Sequence, residues 1–288
     1  MKNITLVILW AAIYACQPSN NDSISKVSSV PDSIELDTAL ESNNRTLASI
    51  RPPIGYKTVE TYSNEYGNYL QNLPLKPKGA KIKYFDGTIK SGFTQYAEVI
   101  NLPIGDKDLH QCADAIMRMR ADYLWYTGQY DKIHFNFTNG MRVDYSNWME
   151  GQRIKVNGNN TSWLLSENLS NTKEVYWKYL EQIWMYAGTL SLSKELSSRK
   201  ADDIQIGDVF IQGGSPGHAV NVMNIAIHEK TKEKIFLIAQ SYMPAQEIHV
   251  LTNPNNENLS PWYSIKNLNP LITPEWTFNT EDLKYFKN

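Results

Sequence analysis

The chain has 288 residues, with 28 Lys and Arg against 30 Asp and Glu and a formal net charge of −2. No basic run or stripe breaks that balance, which excludes a nucleic-acid surface built on phosphate neutralisation. Seventeen Tyr and eight Trp suit either a packed core or a wet, polar binding surface.

At the amino end Lys2 precedes an unbroken apolar run, "ITLVILWAAIYA", from Ile4 to Ala15. That run is too short to span a bilayer and matches the apolar core of a secretory signal. It ends in "IYAC", Ile13 to Cys16, which resembles the lipobox of bacterial lipoproteins, although Tyr14 is bulkier than the small residue usual there. The resemblance implies cleavage before Cys16 and diacylation of its sulfur; ordinary signal cleavage is the other reading. Acylation contributes about 0.8 kcal/mol per buried methylene, so lipid on Cys16 would hold the chain at a membrane face, with an outer-membrane location expected. Nothing after Ala15 is apolar enough to cross a bilayer.

Residues 16–50 are rich in Ser, Asn and Asp and read as a flexible tether. Within them Asp22–Ile24, Asp32–Ile34 and Asp37–Ala39 resemble the Asp-Ser/Thr-apolar acceptors of O-glycosylation in the Bacteroidetes. The remainder, residues 51–288, reads as a single domain. "KIKYFDGTIK" (Lys81 to Lys90) is a hairpin signal around Asp86-Gly87, and "TQYAEVINL" continues as strand. A helix through "KDLHQCADAIMRMRADYLW" runs to Gly128, and "KIHFNFTNGMRVDY" reads as a hairpin around Asn139-Gly140. A long helix follows, with Tyr176, Tyr179, Leu180, Ile183 and Ala187 on one stripe, then a short one at "LSKEL". "GDVFIQ", "HAVNVMNIAIH" and "KIFLIAQSY" are strands, the last two joined by the charged turn "EKTKEK". The Asn/Pro-rich tail from Asn253 to Pro274 reads as loop, with Trp276 to Phe278 an edge strand. Helices ahead of a run of antiparallel strands predict an α+β class.

If Cys16 carries lipid, Cys112 has no disulfide partner. Its helix buries the stripe Leu109, Cys112, Ala113, Ile116, Met119 and Tyr123, so the thiol points inward, and packing is the commonest role of such a cysteine. The other reading starts from the same position. A sulfur near a helix N-terminus feels the positive end of the dipole, and a nucleophilic sulfur needs a base and an orienting group. Of five histidines, His110 faces elsewhere on the same helix, whereas His134, His228 and His249 read as surface or structural. His218 differs: it opens an apolar strand directly after a loop with Gly213, Gly214 and Gly217. Gln240, ending the next strand, would accept the imidazole proton if the register holds, since a one-residue slip turns it to the opposite face. Asn221, Asn224 and Ser241 are substitutes.

A helix-borne Cys, then "GDVF" and "GH" opening a strand, then a polar residue on the following strand resemble the papain-like fold, in particular the cell-wall amidohydrolases of the NlpC and CHAP type. The resemblance covers about half of the folded region. It implies cleavage of amide bonds in peptidoglycan stem peptides through a thioester, with Cys112 as nucleophile, His218 as base and then acid, and Gln240 as orienting residue. It also sets a condition, because there the nucleophile's own N–H helps form the oxyanion hole. A cap at Asp108 would place Cys112 one turn inside the helix and engage that N–H; a start nearer Gln111 would leave it available. Separately, "QCADAIMRMRADYLW", "HFNFTNGMRVDYSNWMEG" and "YAGTLSLSKEL" resemble an uncharacterised lipoprotein family of the Bacteroidetes, defined only as a domain of unknown function. That likeness spans most of the chain after residue 50 and implies no activity.

No cofactor is implied, and the scattered histidines offer no metal-ligand spacing. Asp144 and Glu150 in the "SNWMEG" region do not constitute a glycosidase pair. "GGSPG" has the letters of a serine elbow, but Pro216 after Ser215 lacks the N–H an oxyanion hole requires. The expectation is therefore an envelope lipoprotein that acts as a thiol-dependent amidase or peptidase on envelope peptides. The alternative is a non-catalytic binder of glycan or peptide, with Trp262 and Tyr263 exposed on a Pro-rich loop and Trp148 and Trp163 adding to an aromatic-lined cleft. In a third reading Cys112 is inert and the fold serves only partner binding.

Overall fold

The computed structural model describes residues 45–63 and 65–287. Cys16, the signal sequence and the three glycosylation-like triplets lie outside the described residues. Among these residues the helices are α1 (Tyr66–Gln71), α2 (Cys112–Tyr126), α3 (Tyr145–Met149), α4 (Lys173–Tyr186) and α5 (Thr189–Glu195). The strands before α4 are β1 (Tyr56–Thr58), β2 (Tyr96–Val99), β3 (His134–Asn136), β4 (Arg142–Asp144), β5 (Gln152–Asn157) and β6 (Asn160–Leu165). Those after α5 are β7 (Ser197–Ser198), β8 (Val209–Gln212), β9 (His218–His228), β10 (Lys234–Gln240), β11 (His249–Leu251), β12 (Tyr263–Ser264), β13 (Leu271–Ile272), β14 (Thr277–Phe278) and β15 (Leu283–Tyr285).

Nine strands form one sheet in the order β2-β11-β10-β9-β8-β15-β7, with β1 added on β9 and β12 on β10. "HAVNVMNIA" and "IFLIAQ" are buried throughout, the near-continuous apolar pattern of strands covered on both faces. On one face Val209, Ile211 and Ala219 pack with Ala113 and Ile116 of α2, and Met223, Leu237 and Ala239 pack with Ala115 and Met119. On the other, Phe210, Val220, Val222, Phe236 and Ile238 meet Leu268, Leu271, Phe278 and Leu283. The Asn/Pro-rich tail is thus not mere loop; it covers the second face of the sheet.

The papain-like α+β class is corrected by this architecture. Among the described residues antiparallel strand exceeds helix, 29% against 26%, and no papain-like arrangement of helix and cysteine is evident. The physical reason is that segments from both sides of α2 enter one sheet: β1 and β2 before it, β7 to β12 and β15 after it. The few helices therefore cover one face of an extended sheet and build no layer of comparable size.

One irregularity sets the geometry of the site. Along β9 and β10 the register runs Leu237↔Asn224 and then Ile238↔Val222, skipping Met223. Side chains alternate faces with a period of two, so an extra residue on one strand exchanges the faces of all pairs beyond it. Ala239 pairs with Asn221, and one step further Gln240 lies opposite Val220, on the same face as His218. Without the bulge Gln240 would oppose Asn221 and share the other face.

Candidate active site

Helix α2 begins at Cys112 with Gln111 as its extended N-cap (φ −93°, ψ −162°). The Asp114 carboxylate accepts the Gln111 N–H at 3.1 Å, and the first helical bond runs from Ala115 N–H to the Gln111 carbonyl at 2.9 Å. Asp108 is not the cap. Its Oδ1 accepts the Gln111 side-chain amide at 3.0 Å and the Ala245 N–H at 2.7 Å, tying the approach of the helix to the chain leaving β10. Cys112 therefore occupies the first helical position, where a backbone N–H has no partner within the helix.

Cys112 is buried. The backbone N–H groups of Ala113 and of Ala219, the residue after His218, lie near enough to the sulfur to favour its thiolate. Burial pushes the thiol up to about 12, Asp114 adds to the rise, and the N–H groups of Ala113, Ala219 and Cys112 pull the other way. Loss of hydration wins over the helix end, so the resting sulfur carries its proton.

His218 is 1% exposed. Its Nε2 lies 2.8 Å from Gln240 Oε1. The Gln240 amide nitrogen lies 2.6 Å from Glu275 Oε2 and 3.4 Å from His249 Nε2. A carboxylate accepts only, so the amide nitrogen belongs on the Glu275 side and the oxygen faces His218. His218 then donates from Nε2, and its Nδ1 keeps the lone pair. His249 Nδ1 lies 2.8 Å from the Glu247 carbonyl, which can only accept, so His249 donates there and offers Nε2 to Gln240. Burial holds His218 down to about 4 against the opposing Gln240 bond, with Lys90 lowering it further, and burial brings His249 to about 3. Both imidazoles are neutral near pH 7.

Aromatic rings wall His218: Tyr242 at 4.7 Å, Trp276 at 5.4 Å and Phe278 at 5.9 Å between centroids. Tyr242 also feels the charge of Cys112. Sequence reasoning passed over Tyr242, Glu275 and Lys90. The "SY" after "KIFLIAQ" was a signal for Tyr242; Glu275 carried none, because its partner is 35 residues away. Gly213 and Gly217 are closely packed. A Cβ on Gly213 would come within 2.1 Å of Ser193 Oγ, and one on Gly217 within 2.4 Å of Thr189 Oγ1. These glycines let the loop lie against α5.

Other expected residues are placed differently. Trp262 (1% exposed), Tyr263 (2%) and Trp148 (4%) belong to three separate core clusters. The exposure expected for Trp262 and Tyr263 is corrected: Trp262 Nε1 donates to the Arg51 carbonyl at 3.2 Å and Tyr263 OH to the Thr252 carbonyl at 2.5 Å, which anchors both rings inside. Trp163 packs half-buried against the cluster around α2 and α4. Of the substitutes for Gln240, Asn221 donates to the Asp208 carbonyl, Asn224 accepts from Gln71, and Ser241 donates toward the His110 and Gln246 carbonyls. His110 is fully buried against Trp184, and His134 and His228 are half-buried. A cavity of about 720 Å³ lies apart from this site, lined by Tyr66, Arg120, Tyr123, Arg199, Asp208 and others. It holds neither Cys112 nor His218, and its Arg199 and Asp208 are already paired at 2.8 Å. Among the described residues no group of three or more His, Cys, Asp or Glu side chains is placed to hold a metal ion, and no helix is long and apolar enough to cross a membrane.

A nine-stranded antiparallel sheet with a buried thiol and imidazole defines the class only as a β-rich domain with a candidate nucleophile. Residues 47–285 match the family described as Domain of unknown function (4846), and the chain belongs to that family. No curated protein and no solved structure matches the chain.

Proposed function

We propose that the chain is a thiol-dependent hydrolase of amide bonds in cell-envelope peptides of the peptidoglycan type, held at the envelope by lipid on Cys16. One observation carries the chemical part: Gln240 occupies His218 Nε2 at 2.8 Å and leaves Nδ1 basic, while the N–H of Ala219, the strand residue that follows His218, lies near enough to Cys112 to favour its thiolate. The location rests on the likeness of "IYAC" to a lipobox.

Because the resting pair is neutral, the proton moves during attack and not before it. Sulfur bonds to the amide carbonyl carbon as His218 Nδ1 takes the thiol proton, and the carbonyl oxygen becomes an oxyanion within reach of the Cys112 N–H. The imidazolium returns that proton to the amide nitrogen as the C–N bond breaks, leaving a thioester. Water, deprotonated by His218, then cleaves the thioester to carboxylate and thiol. General base assistance of this kind contributes about 10²- to 10⁴-fold.

The test is digestion of purified peptidoglycan by the protein and its Cys112→Ser and His218→Ala variants, with new amino and carboxyl ends identified by mass spectrometry. New ends that vanish in both variants support the proposal; none from the wild type, or equal amounts from the variants, sinks it. Burial of both Cys112 and His218 favours a second reading, a binder of envelope peptide or glycan without chemistry. Tyr242 and Trp276 would then supply the rings in place of Trp262, Tyr263 and Trp148. Retention of undigested peptidoglycan fragments with no cleavage identifies that case.

A further inference from the structure

The tail builds one more component of the site. Strands β13 and β14 pair Leu271↔Phe278 and Ile272↔Thr277, and the connection "TPEW" is closed by Thr273 N–H on the Trp276 carbonyl at 2.8 Å. Thr273 Oγ1 also accepts the Trp276 N–H at 3.0 Å. Pro274 suits the first central position of such a turn, since its ring fixes φ there, and Glu275 takes the second. The hairpin tip thus presents two neighbouring side chains. Trp276 lies against His218 and donates from Nε1 to Gln212 Oε1 at 2.9 Å, and Glu275 reaches Gln240 at 2.6 Å.

Glu275 is itself held from behind. Lys90 Nζ lies 2.8 and 3.0 Å from its two carboxylate oxygens and 3.9 Å from the centroid of the Phe93 ring. Lys90 and Glu275 side chains are 9% and 20% exposed, so water competes little for either. A primary amide has nearly the same shape in both orientations; only its partners decide which end faces the imidazole. Turned over, Gln240 would offer N–H groups to His218 Nε2, drive the ring proton to Nδ1 and remove the lone pair from the nitrogen needed as base. His249 at 3.4 Å is too long a contact to decide the orientation alone.

We infer that Glu275, anchored by Lys90, is a positioning residue that fixes the Gln240 amide and through it the Nε2-protonated tautomer of His218. This inference deepens the hydrolase reading and rests on it for its consequence, though not for its geometry. The carboxylate touches no reacting atom; it acts through Gln240.

The experiment uses ¹⁵N-histidine-labelled protein and long-range ¹⁵N–¹H correlation spectra, which distinguish the two tautomers, together with acetylation of Cys112 by p-nitrophenyl acetate. Wild-type His218 is expected as Nε2–H. The Lys90→Met, Glu275→Leu double variant, which leaves no lone ammonium, should populate Nδ1–H and lose acetylation by about tenfold or more, since a wrong tautomer disables a base. Glu275→Gln, which still offers an accepting oxygen, should keep Nε2–H. Nδ1–H in the wild type overturns the inference whether or not the variants fold, and an unchanged tautomer in the folded double variant does the same. A tautomer that depends on Glu275 in a protein whose Cys112 is never acetylated upholds the positioning role and removes the hydrolase reading.

Discussion

Replacing Gly217 by alanine perturbs the site without touching a charged or reacting group. The new Cβ would stand 2.4 Å from Thr189 Oγ1, 2.6 Å from the Gly214 carbonyl oxygen and 2.9 Å from the Gln212 carbonyl oxygen. A hydroxyl can rotate away, but the two carbonyl oxygens belong to the turn and to the end of β8, and they move only with the backbone. Overpacking of this kind costs about 1–3 kcal/mol, which for a domain of this size lowers Tm by about 2–4 °C per kcal/mol. The expected drop is about 2–12 °C by scanning calorimetry. Because Gly217 precedes His218, the same displacement should slow Cys112 acetylation, by up to about 10²-fold if the imidazole moves on the order of 1 Å. Thr189→Ala removes only the first of the three contacts, so adding it to Gly217→Ala should not restore Tm. A Gly217→Ala protein that melts within about 1 °C of wild type, or full rescue by Thr189→Ala, would refute the reasoning.

Two further outcomes concern stability. Removing Glu275 alone should cost about 3 kcal/mol in urea unfolding, the low end for breaking a buried pair because the carboxylate is partly exposed; removing Lys90 with it should cost much less, and simple additivity of the two single losses would contradict the pairing. Acid sensitivity has two opposing sources. His218 and His249, held to about 4 and about 3, take up protons in the unfolded state first, so their contribution is full above pH 6.5 and is lost as pH falls. Glu195 and Asp208, pushed up to about 7 by burial, contribute fully below their unfolded values and lose that contribution as pH rises through 7. Glu195→Gln removes one opposing slope. Between pH 7.5 and pH 5 that variant should therefore lose about 2–3 kcal/mol more than wild type; equal losses in the two proteins would show that Glu195 is not buried in its neutral form.

The long strands were legible because "HAVNVMNIAIH" and "KIFLIAQ" are continuous apolar runs with a charged turn between them, and α4 was legible from its stripe of Tyr176, Tyr179, Leu180 and Ile183. The class was not legible. Two- and three-residue strands such as β7, β12 and β15 have no periodicity to read, and they join the sheet only through partners far away in the chain. The β5–β6 hairpin was missed although Asn157-Gly158 marks its turn, with Gly158 at φ +58°. At the site, Cys112 and His218 could be singled out from a helix start and a strand start. The start of α2 at Cys112 could not, because Asp108 has the chemistry of a cap and is instead engaged by Ala245, a residue 137 positions away. The face of Gln240 depended on a bulge at Met223 that no residue type announces. Trp262 and Tyr263 misled for a similar reason: a Pro-rich surrounding reads as surface, whereas both rings are anchored inward by distant carbonyls.

The central claim is that the sulfur of Cys112 and the imidazole of His218 act as one acyl-transfer unit. Its most direct test is the rate at which p-nitrophenyl acetate acetylates Cys112 in the wild-type protein and in His218→Ala, located by peptide mass mapping at pH 7.5. The account predicts a single acetyl on Cys112, with a rate that falls by about 10²- to 10⁴-fold when the imidazole is removed. An unmodified Cys112 in the wild type, or the same rate in both proteins, would contradict it.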